Sequence, residues 1–327
     1  LYIGIPFCPT RCLYCSFTSY PIGVYKDKVD AYLDTMEKEM EYVAASYTEK
    51  KLVSIYIGGG TPSSISAEQM DRLCSMIEKH FDLSQVREYT IEAGRPDSTT
   101  ADKLQVMKAH GVGRISINPQ TMNGETLKLI GRAHTPEQAE EAFKRAREAG
   151  FDNINMDLIV GLPGEDAEMV KRTLEKVKKL APESLTVHTL AIKRAAHLKQ
   201  EMDKYSFAGD VDEQLSLVGQ AAEELGLAPY YLYRQKNMAG NLENVGYARH
   251  GLECLYNILI MEERTDIIGI GAGSSSKLIR REGDSDPVTG EMITGTRIDR
   301  VENCKSVDDY IARIDEMIDR KKQAFAK

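Results

Sequence analysis

Three cysteines lie within eight residues near the start of the chain: Cys8, Cys12 and Cys15. They follow an apolar, strand-like run, and the loop that holds them is mostly polar. Iron–sulfur clusters are bound by cysteine thiolates, and a [4Fe–4S] cube normally takes four. With only three, one iron would lack a protein ligand, and a second molecule could bind there, as at the open position of a catalytic zinc site. The spacing therefore predicts chemistry at a cluster rather than electron transfer alone.

Other uses of three close cysteines fit this sequence less well. A disulfide framework is typical of small secreted chains, and a structural zinc site needs a fourth ligand, for which the sequence has no second C-x-x-C or H-x-x-x-H pattern. Cys12 and Cys15 alone would match a redox pair, but Cys8 and the lack of a thioredoxin-like context argue against it. The polar loop argues against buried cysteines that serve only as small apolar side chains. The other cysteines show no ligand spacing: Cys74, Cys254 and Cys304.

A triple glycine follows the next strand-like run, in the segment Gly58-Gly-Gly-Thr-Pro62. Three glycines allow a ligand to lie against bare backbone, where N–H and C=O groups can bind it. The alternative is a tight strand-to-helix turn, for which one glycine usually suffices. The segment therefore favours ligand binding.

Polar residues also interrupt or follow three apolar strand patterns: Glu92, Gln120 and Asp157. Taken singly, each could be a core residue whose polar atoms bond to the backbone. Their joint placement on neighbouring strands favours a shared ligand.

These residues are positioned by a regular alternation of strands and helices along the first 190 residues. The predicted strands are Leu1 to Ile5, Leu52 to Ile57, Glu88 to Ala93, Arg114 to Asn118, Asn153 to Val160 and Ser184 to Leu190. Alternating strands and helices form right-handed βαβ units with a parallel sheet, and such sheets bind ligands at the carboxyl ends of their strands. Because the alternation stops near Leu190, the expected α/β fold is a partial (β/α)6 barrel rather than a barrel of eight.

The pattern changes after the sixth strand, which predicts a partial barrel over 1–195 and a smaller α+β substrate or lid domain over 196–327. In the second unit we expect a helix over Val211 to Leu225, a loop over Asn237 to Tyr247, a buried strand over Thr265 to Ile270 and a closing helix over Val307 to Phe325. The chain begins at Leu1, inside a strand and without Met, so we expect an N-terminal extension to be missing.

Composition limits the classes of partner. The 327 residues carry a net charge of −8, whereas nucleic-acid binding depends on an excess of Lys and Arg. No apolar run is long enough to span a bilayer. Unpaired cysteines and the lack of a visible signal peptide predict a reducing, cytoplasmic location. The sequence therefore predicts a cytoplasmic enzyme with a small-molecule substrate, no nucleic acid and no membrane.

The strings Tyr2-Ile-Gly-Ile-Pro-Phe-Cys8 and Tyr14-Cys15-Ser-Phe17, with the cysteine spacing, resemble the radical S-adenosylmethionine (SAM) enzymes. The sequence looks like the oxygen-independent coproporphyrinogen III oxidase (dehydrogenase) family, in the variant found in anaerobic and Gram-positive bacteria. The resemblance implies a [4Fe–4S] cluster on the three cysteines, with the amino and carboxylate groups of SAM on the open iron. One electron from the cluster would cleave SAM to a 5′-deoxyadenosyl radical. The resemblance is strong from Leu1 to about Ala191 and thinner through Gly273.

The same resemblance implies two SAM molecules, one on the cluster and one beside it. Three residues match contacts to the first: Tyr2, Gly59 and Glu92. Seven match contacts to the second: Tyr14, Gly60, Thr61, Gln120, Arg132, Asp157 and Ala191.

Two positions depart from the family pattern. Gly4 stands where the family usually has His, and Phe17 stands where it has an additional Cys. The second departure is shared with relatives thought to be haem chaperones or porphyrin-modifying methyltransferases. Both departures leave cluster and SAM binding expected, but they weaken the assignment of the tetrapyrrole substrate.

The reaction that the resemblance implies is oxygen-independent oxidative decarboxylation of coproporphyrinogen III to protoporphyrinogen IX in haem biosynthesis, with a reductant such as flavodoxin or ferredoxin. Two alternatives stay open: a haem chaperone of the same family, and a radical SAM methyltransferase that acts on a tetrapyrrole. A tetracarboxylate substrate needs cations, and Arg is the side chain best suited to bind carboxylates. The candidates in and near the second unit are Arg194, Arg234, Lys236 and Arg249.

Overall fold

The computed structural model describes residues 1–15, 17–48, 50–190, 209–233, 244–287 and 289–325. Its strands are β1 (Tyr2–Ile5), β2 (Phe7–Cys8), β3 (Tyr20–Pro21), β4 (Ser54–Gly59), β5 (Glu88–Gly94), β6 (Arg114–Ile117), β7 (Ile154–Val160), β8 (Ser184–Thr189), β9 (Ala228–Tyr233), β10 (Asn244–Ala248), β11 (Gly269–Ile270), β12 (Ser275–Arg280) and β13 (Arg297–Glu302). Its α-helices are α1 (Ile22–Tyr25), α2 (Val29–Ser46), α3 (Ala67–His80), α4 (Ala101–Ala109), α5 (Gly124–Leu129), α6 (Pro136–Glu148), α7 (Ala167–Leu180), α8 (Val211–Glu224), α9 (Leu255–Glu262), α10 (Val307–Ala312) and α11 (Ile314–Phe325).

Nine strands of the described ranges form one sheet, in the order β11-β1-β4-β5-β6-β7-β8-β10-β9. The strands from β11 to β8 run parallel, and β10 and β9 join the β8 edge antiparallel. The six predicted strands are β1 and β4 to β8, and no strand end is shifted by more than two residues. The predicted mixed α/β fold, a partial (β/α)6 barrel, is confirmed.

Capping boxes begin two of the helices, α3 and α6. The Ser66 hydroxyl accepts from the backbone N–H of Gln69, and the Gln69 side chain accepts from the N–H of Ser66. Thr135 and Gln138 form the same capping box, with Pro136 at the first helical position. These caps satisfy N–H groups that have no partner inside the helix, so they fix where α3 and α6 start and thereby where the preceding loops end.

The sheet separates an apolar face from a polar one. Ile3, Ile55 and Ile91 point into the core, where they pack with helix residues such as Leu33 and Met70. Alternate residues on the same strands are polar or aromatic, because successive side chains of a strand point to opposite faces. Tyr2, Tyr56 and Glu92 are such residues, and Tyr2 and Tyr56 stack with ring centroids 6.2 Å apart.

The last third of the chain differs from several predictions. The loop predicted over Asn237 to Tyr247 is wrong from Asn244 onward, where β10 begins. The strand predicted over Thr265 to Ile270 is only Gly269–Ile270, and the closing helix is interrupted between Ala312 and Ile314. Because β9, β10 and β11 belong to the large sheet, the division at residue 195 stays a prediction, as does the role of a lid.

A buried ion pair joins the C-terminal helix to the barrel. The Lys321 ammonium lies 2.7 Å from the Glu39 carboxylate, and both side chains are fully buried. Asn303 and Tyr310 also donate to Glu39, and the backbone N–H of Gly271 lies 2.9 Å from its Oε2. Every charge in this cluster therefore has polar partners, which a buried ion pair needs in order to be stable.

A search of the described residues for membrane-spanning helices found none with the length and apolar character required.

Candidate functional site

The cysteine loop lies against the segment that follows α5. The backbone N–H of Leu13 donates to the Ile130 carbonyl at 3.0 Å, and the Thr10 hydroxyl lies 3.3 Å from the Gly131 carbonyl. Leu13 and Tyr14 also pack on a small apolar cluster that contains Leu127 and Ile130. The loop is therefore held from both its backbone and its side chains at the carboxyl edge of the sheet.

One thiol of this loop, that of Cys8, faces the triple glycine. The Cys8 sulfur lies 3.4 Å from the Thr61 hydroxyl, and Cys12 is 8% exposed. A Cβ on Gly60 would lie 2.6 Å from the Phe7 carbonyl oxygen and 3.0 Å from the Cys8 sulfur. Only glycine fits there without a shift of the cysteine loop. The sequence predicts that a ligand lies against the bare backbone of the triple glycine. In the structure, the cysteine loop itself lies against Gly60.

The thiols are close enough to affect one another electrostatically. Burial, together with negative charge on Cys15 and Cys12, raises the pKa of the Cys8 thiol to about 11. Metal binding requires the thiolate form, so loading the site releases protons. A search of the described residues for three or more His, Cys, Asp or Glu side chains around a single metal ion found no such group. In a cube, each thiolate binds its own iron, so the cysteines need not meet at one point, and the donor set fits an iron–sulfur cluster.

Tyr2, Gly59 and Glu92, which the sequence predicts to contact the first SAM, lie together on β1, β4 and β5. The Tyr2 hydroxyl lies 3.5 Å from the place that a Cβ on Gly59 would occupy, and Gly59 has a φ of +110°. Tyr56 donates a hydrogen bond to the Glu92 carboxylate. A Cβ on Gly58 would lie 3.1 Å from the Glu92 carboxyl carbon, so this strand end is bare where the carboxylate approaches.

Glu92 lies near two further titratable side chains, those of Asp157 and His188. Burial raises the pKa of its carboxyl to about 7, the hydrogen bond from Tyr56 opposes that rise, and the charge of Asp157 adds to it. The imidazole of His188 lies 3.8 Å from the Asp157 carboxylate and also acts on Glu92. A positively charged group bound here, such as an amine, would restore the ionised form of Glu92.

Tyr14 and Arg132, which the sequence predicts to contact a second SAM, are hydrogen-bonded to each other. The Tyr14 hydroxyl accepts from Arg132 Nε at 3.3 Å and from Nη2 at 3.2 Å. Arg132 Nη1 donates to the Asn118 carbonyl at 2.5 Å, and the residue is 8% exposed. The guanidinium is thus fixed between the cysteine loop and the end of β6.

Gln120 has the most unusual backbone of the predicted site residues. Its φ of +69° lies in the left-handed region, which residues other than glycine rarely adopt. Its backbone N–H donates to the Asp157 carbonyl at 2.9 Å, and its carbonyl accepts from the N–H of Ile159. Within the described ranges, its buried side-chain Oε1 has no hydrogen-bond partner. Strained backbone and an unpaired buried acceptor point to a ligand at this strand end.

Sequence reasoning missed two buried titratable residues behind the cysteine loop, Arg95 and His134. Arg95 follows β5, is 2% exposed and lies 3.7 Å from the Cys12 sulfur through Nη1. His134 is 3% exposed, and burial together with the charges of Arg132 and Arg95 lowers its pKa to about 3. The available signal was an arginine directly after a buried strand, in Gly94-Arg-Pro-Asp97.

Of the four cations predicted to bind a tetracarboxylate, the structure describes only Arg249. Ala191, Arg194, Arg234 and Lys236 lie outside the described residues. Arg249 is exposed and follows Ala248, which pairs with Ser184 at the amino end of β8. The prediction for Arg249 is wrong, because β10 runs antiparallel and carries this residue to the edge opposite the cysteines.

Both the sequence and the fold of the chain resemble those of known proteins. The sequence matches the Radical SAM superfamily over residues 2–177. It is 49% identical over 287 residues to the oxygen-independent coproporphyrinogen-III oxidase-like protein HemZ of Bacillus subtilis, which covers 86% of this chain and 57% of that protein. It is 33% identical over 278 residues to the heme chaperone HemW of Lactococcus lactis, covering 85% of this chain and 69% of that one. The chain thus spans little more than half the length of the HemZ relative.

Among solved structures, the fold is similar to coproporphyrinogen III oxidase (HemN) from Escherichia coli, a radical SAM enzyme, with a TM-score of 0.73. That similarity covers 97% of this chain and 69% of the other, at 22% sequence identity. At this identity the likeness establishes the fold.

Proposed function

Because this chain belongs to the radical SAM superfamily, whose members use a [4Fe–4S] cluster and SAM, we propose that it catalyses the oxidative decarboxylation of coproporphyrinogen III to protoporphyrinogen IX. The 49% identity to the coproporphyrinogen oxidase-like HemZ carries the choice of substrate. Members of this superfamily need a reductant, and a flavodoxin or a ferredoxin would supply the electron.

The reaction converts two propionate side chains into vinyl groups, and each of the two decarboxylations removes one carboxyl group and consumes one SAM. When bound, the cluster and SAM supply a radical that takes a hydrogen atom from the propionate β-carbon. Carbon dioxide then leaves, and a one-electron acceptor takes the remaining electron. The protein holds the reacting groups within reach of each other and excludes water.

Residues at the carboxyl edge of the sheet have separate roles in this reaction. Cys8, Cys12 and Cys15 hold the cluster. Glu92 binds the SAM amino group through its carboxylate, and the bare backbone at Gly59 allows that ligand to lie beside Tyr2. These assignments are supported by the mutual proximity of Tyr2, Gly59 and Glu92 and by the titratable side chains of Asp157 and His188 near Glu92.

A second molecule of SAM would lie beside the first. The buried, unpaired oxygen of Gln120 and the fixed guanidinium of Arg132 supply an acceptor and a donor at adjoining strand ends. Asp157 would bind a hydroxyl or amino group, because its carboxylate is oriented by the Asn155 amide at 2.7 Å. Thr61 and Gly60 line the side of this second SAM site that lies next to Cys8.

Haem binding without turnover is the second candidate. It is favoured by the 33% identity to the haem chaperone HemW of Lactococcus lactis, and by Phe17 at the position of the additional family cysteine. Phe17 is 66% exposed, so an apolar ring next to the cysteine loop faces outward. A flat apolar macrocycle could bind there.

An anaerobic assay with SAM, a reductant and coproporphyrinogen III separates these candidates. The proposal expects two molecules of 5′-deoxyadenosine for each molecule of protoporphyrinogen IX formed. Stable uptake of haem with no 5′-deoxyadenosine would support the chaperone instead. A methylated tetrapyrrole with S-adenosylhomocysteine would indicate a methyltransferase. Either of the last two results would overturn the proposal.

A further inference from the structure

Arg95 places a buried cation against one sulfur of the cysteine loop. Its Nη1 lies 3.7 Å from the Cys12 sulfur and donates to the Thr10 hydroxyl at 3.1 Å. The side chain is 2% exposed, so water screens its charge little. Arg95 therefore contacts both the loop and one of its thiols.

The orientation of this guanidinium is fixed by Asp97. Arg95 donates from Nε to Oδ1 at 2.9 Å and from Nη2 to Oδ2 at 3.0 Å. This two-bond fork holds the planar guanidinium in one direction and leaves Nη1 to face the sulfur. Ser98 and Thr99 also donate to the Arg95 carbonyl, at 3.1 Å and 2.9 Å, so its backbone is held as well.

Hydrogen bonds to ligand sulfurs and nearby charge are two of the factors that set cluster potentials. Reduction adds a negative charge to the cluster, and a fixed positive charge beside it stabilises the reduced form more than the oxidised form. We propose that Arg95 is a positioning residue that donates a charged hydrogen bond to the Cys12 thiolate and raises the reduction potential of the cluster. The inference rests on the proposed assignment of the cluster to Cys8, Cys12 and Cys15.

A purely structural role would give a different result. If Arg95 only held the loop by way of Thr10, its replacement would reduce cluster loading or stability without changing the potential of the clusters that do form. The potential is therefore the measurement that separates the two roles. Arg147 offers a matched control, because it also forms an ion pair, with Glu183 at 2.7 Å, and is remote in sequence from the cysteines.

The experiment is an EPR-monitored redox titration of the reconstituted wild type, Arg95→Gln, Arg95→Lys and Arg147→Gln. Arg95→Gln removes the charge, and we expect its equilibrium constant for one-electron reduction to fall at least tenfold, a downward shift of about 59 mV. Arg95→Lys keeps the charge but loses the fork, so its potential should lie between those of wild type and Arg95→Gln. Arg147→Gln should match wild type.

Clusters of Arg95→Gln that titrate at the wild-type potential would overturn the inference. If Arg95→Gln does not bind a cluster, the reduction potential of Arg95→Lys becomes the test. A wild-type potential in Arg95→Lys would then overturn the inference. A wild-type protein that holds no cluster would instead refute the proposed cluster assignment, and this inference would fall with it.

Discussion

Arg132 donates two hydrogen bonds to the hydroxyl of Tyr14, from Nε at 3.3 Å and from Nη2 at 3.2 Å. These residues are 118 positions apart, and their contact joins the cysteine loop to the segment that follows β6. The same guanidinium also donates to the Asn118 carbonyl. Any ligand that binds Arg132 would therefore be positioned relative to the cysteines.

Replacing Arg132 tests the second SAM site. Arg132→Gln removes a buried cation that the proposed function assigns to the molecule beside the cluster, while the three cysteines remain. We expect wild type to bind two equivalents of SAM in anaerobic equilibrium dialysis, and Arg132→Gln to bind one, with unchanged cluster absorbance. Two equivalents on the variant at wild-type affinity would contradict the assignment.

Glu92 should make SAM binding depend on pH. Burial raises the pKa of its carboxyl to about 7, whereas the amino group of SAM needs the ionised form. At pH 6 only about a tenth of the molecules are ionised, so the affinity should be about tenfold weaker than the limit reached above the pKa. Calorimetric titrations between pH 6 and 7.5 measure this trend. Glu92→Gln should bind SAM more weakly, and its affinity should not change with pH. If the affinity of both proteins changed equally with pH, Glu92 would not be the group responsible.

The same carboxyl has a consequence for stability without SAM. Its folded pKa lies above the ordinary value of 4.5, so ionisation disfavours the folded state. This destabilisation by the ionised Glu92 is absent below pH 4.5 and complete above about pH 7. There it should lower the free energy of unfolding by up to about 3 kcal/mol. Urea unfolding of Glu92→Gln should therefore show a gain over wild type at pH 8 that disappears at pH 4.5. A constant difference across that range would refute the pKa assignment.

Gly60 should be required for loading the cluster. An alanine Cβ would lie 2.6 Å from the Phe7 carbonyl oxygen and 3.0 Å from the Cys8 sulfur, so the loop would have to move. We expect Gly60→Ala to lose most of its iron after reconstitution. Gly113→Ala is the control, since no neighbouring atom lies within 4 Å of its Cβ position. Iron content at the wild-type level in Gly60→Ala would show that the loop tolerates the shift.

The Glu39–Lys321 pair should stabilise the attachment of the C-terminal helix. Glu39→Gln leaves the fully buried ammonium of Lys321 without its counter-charge, which typically costs about 3–5 kcal/mol. Urea unfolding should show this loss, and Glu39→Met with Lys321→Met should recover part of it. Glu316→Gln, which breaks exposed pairs with Arg313 and Arg320, should cost less than about 1 kcal/mol. Equal effects of Glu39→Gln and Glu316→Gln would refute the importance of burial.

The order of the barrel strands could be predicted from the sequence because its signals are local. Apolar runs, capping boxes and glycines mark each strand and helix, and the right-handed crossover rule then places them. The β9–β10 pair has no such signal. Asn244 to Ala248 contains a glycine and an asparagine, which are typical of loops, yet Gly246 is needed because a Cβ there would lie 2.2 Å from the Tyr231 ring. That contact depends on a pairing that only the folded chain shows.

The site was predictable in its residue types but not in its electrostatics. The cysteines, the triple glycine and Glu92 could be chosen from spacing and strand position. Arg95 could not, because an arginine after a strand is usually a surface residue, and its burial depends on Asp97 and on the loop 85 residues before it. His188 was likewise one of six scattered histidines until the sheet placed it beside Asp157.

The most direct test of the whole account is the iron and sulfide content of the anaerobically reconstituted protein, with its EPR spectrum after reduction. We expect about four irons per chain in wild type and in Cys74→Ala, whose cysteine lies buried in α3. Replacing any one of Cys8, Cys12 or Cys15 with Ala should abolish the cluster signal. A wild type that holds zinc or no iron, or a Cys12→Ala variant with an intact cluster, would contradict the account.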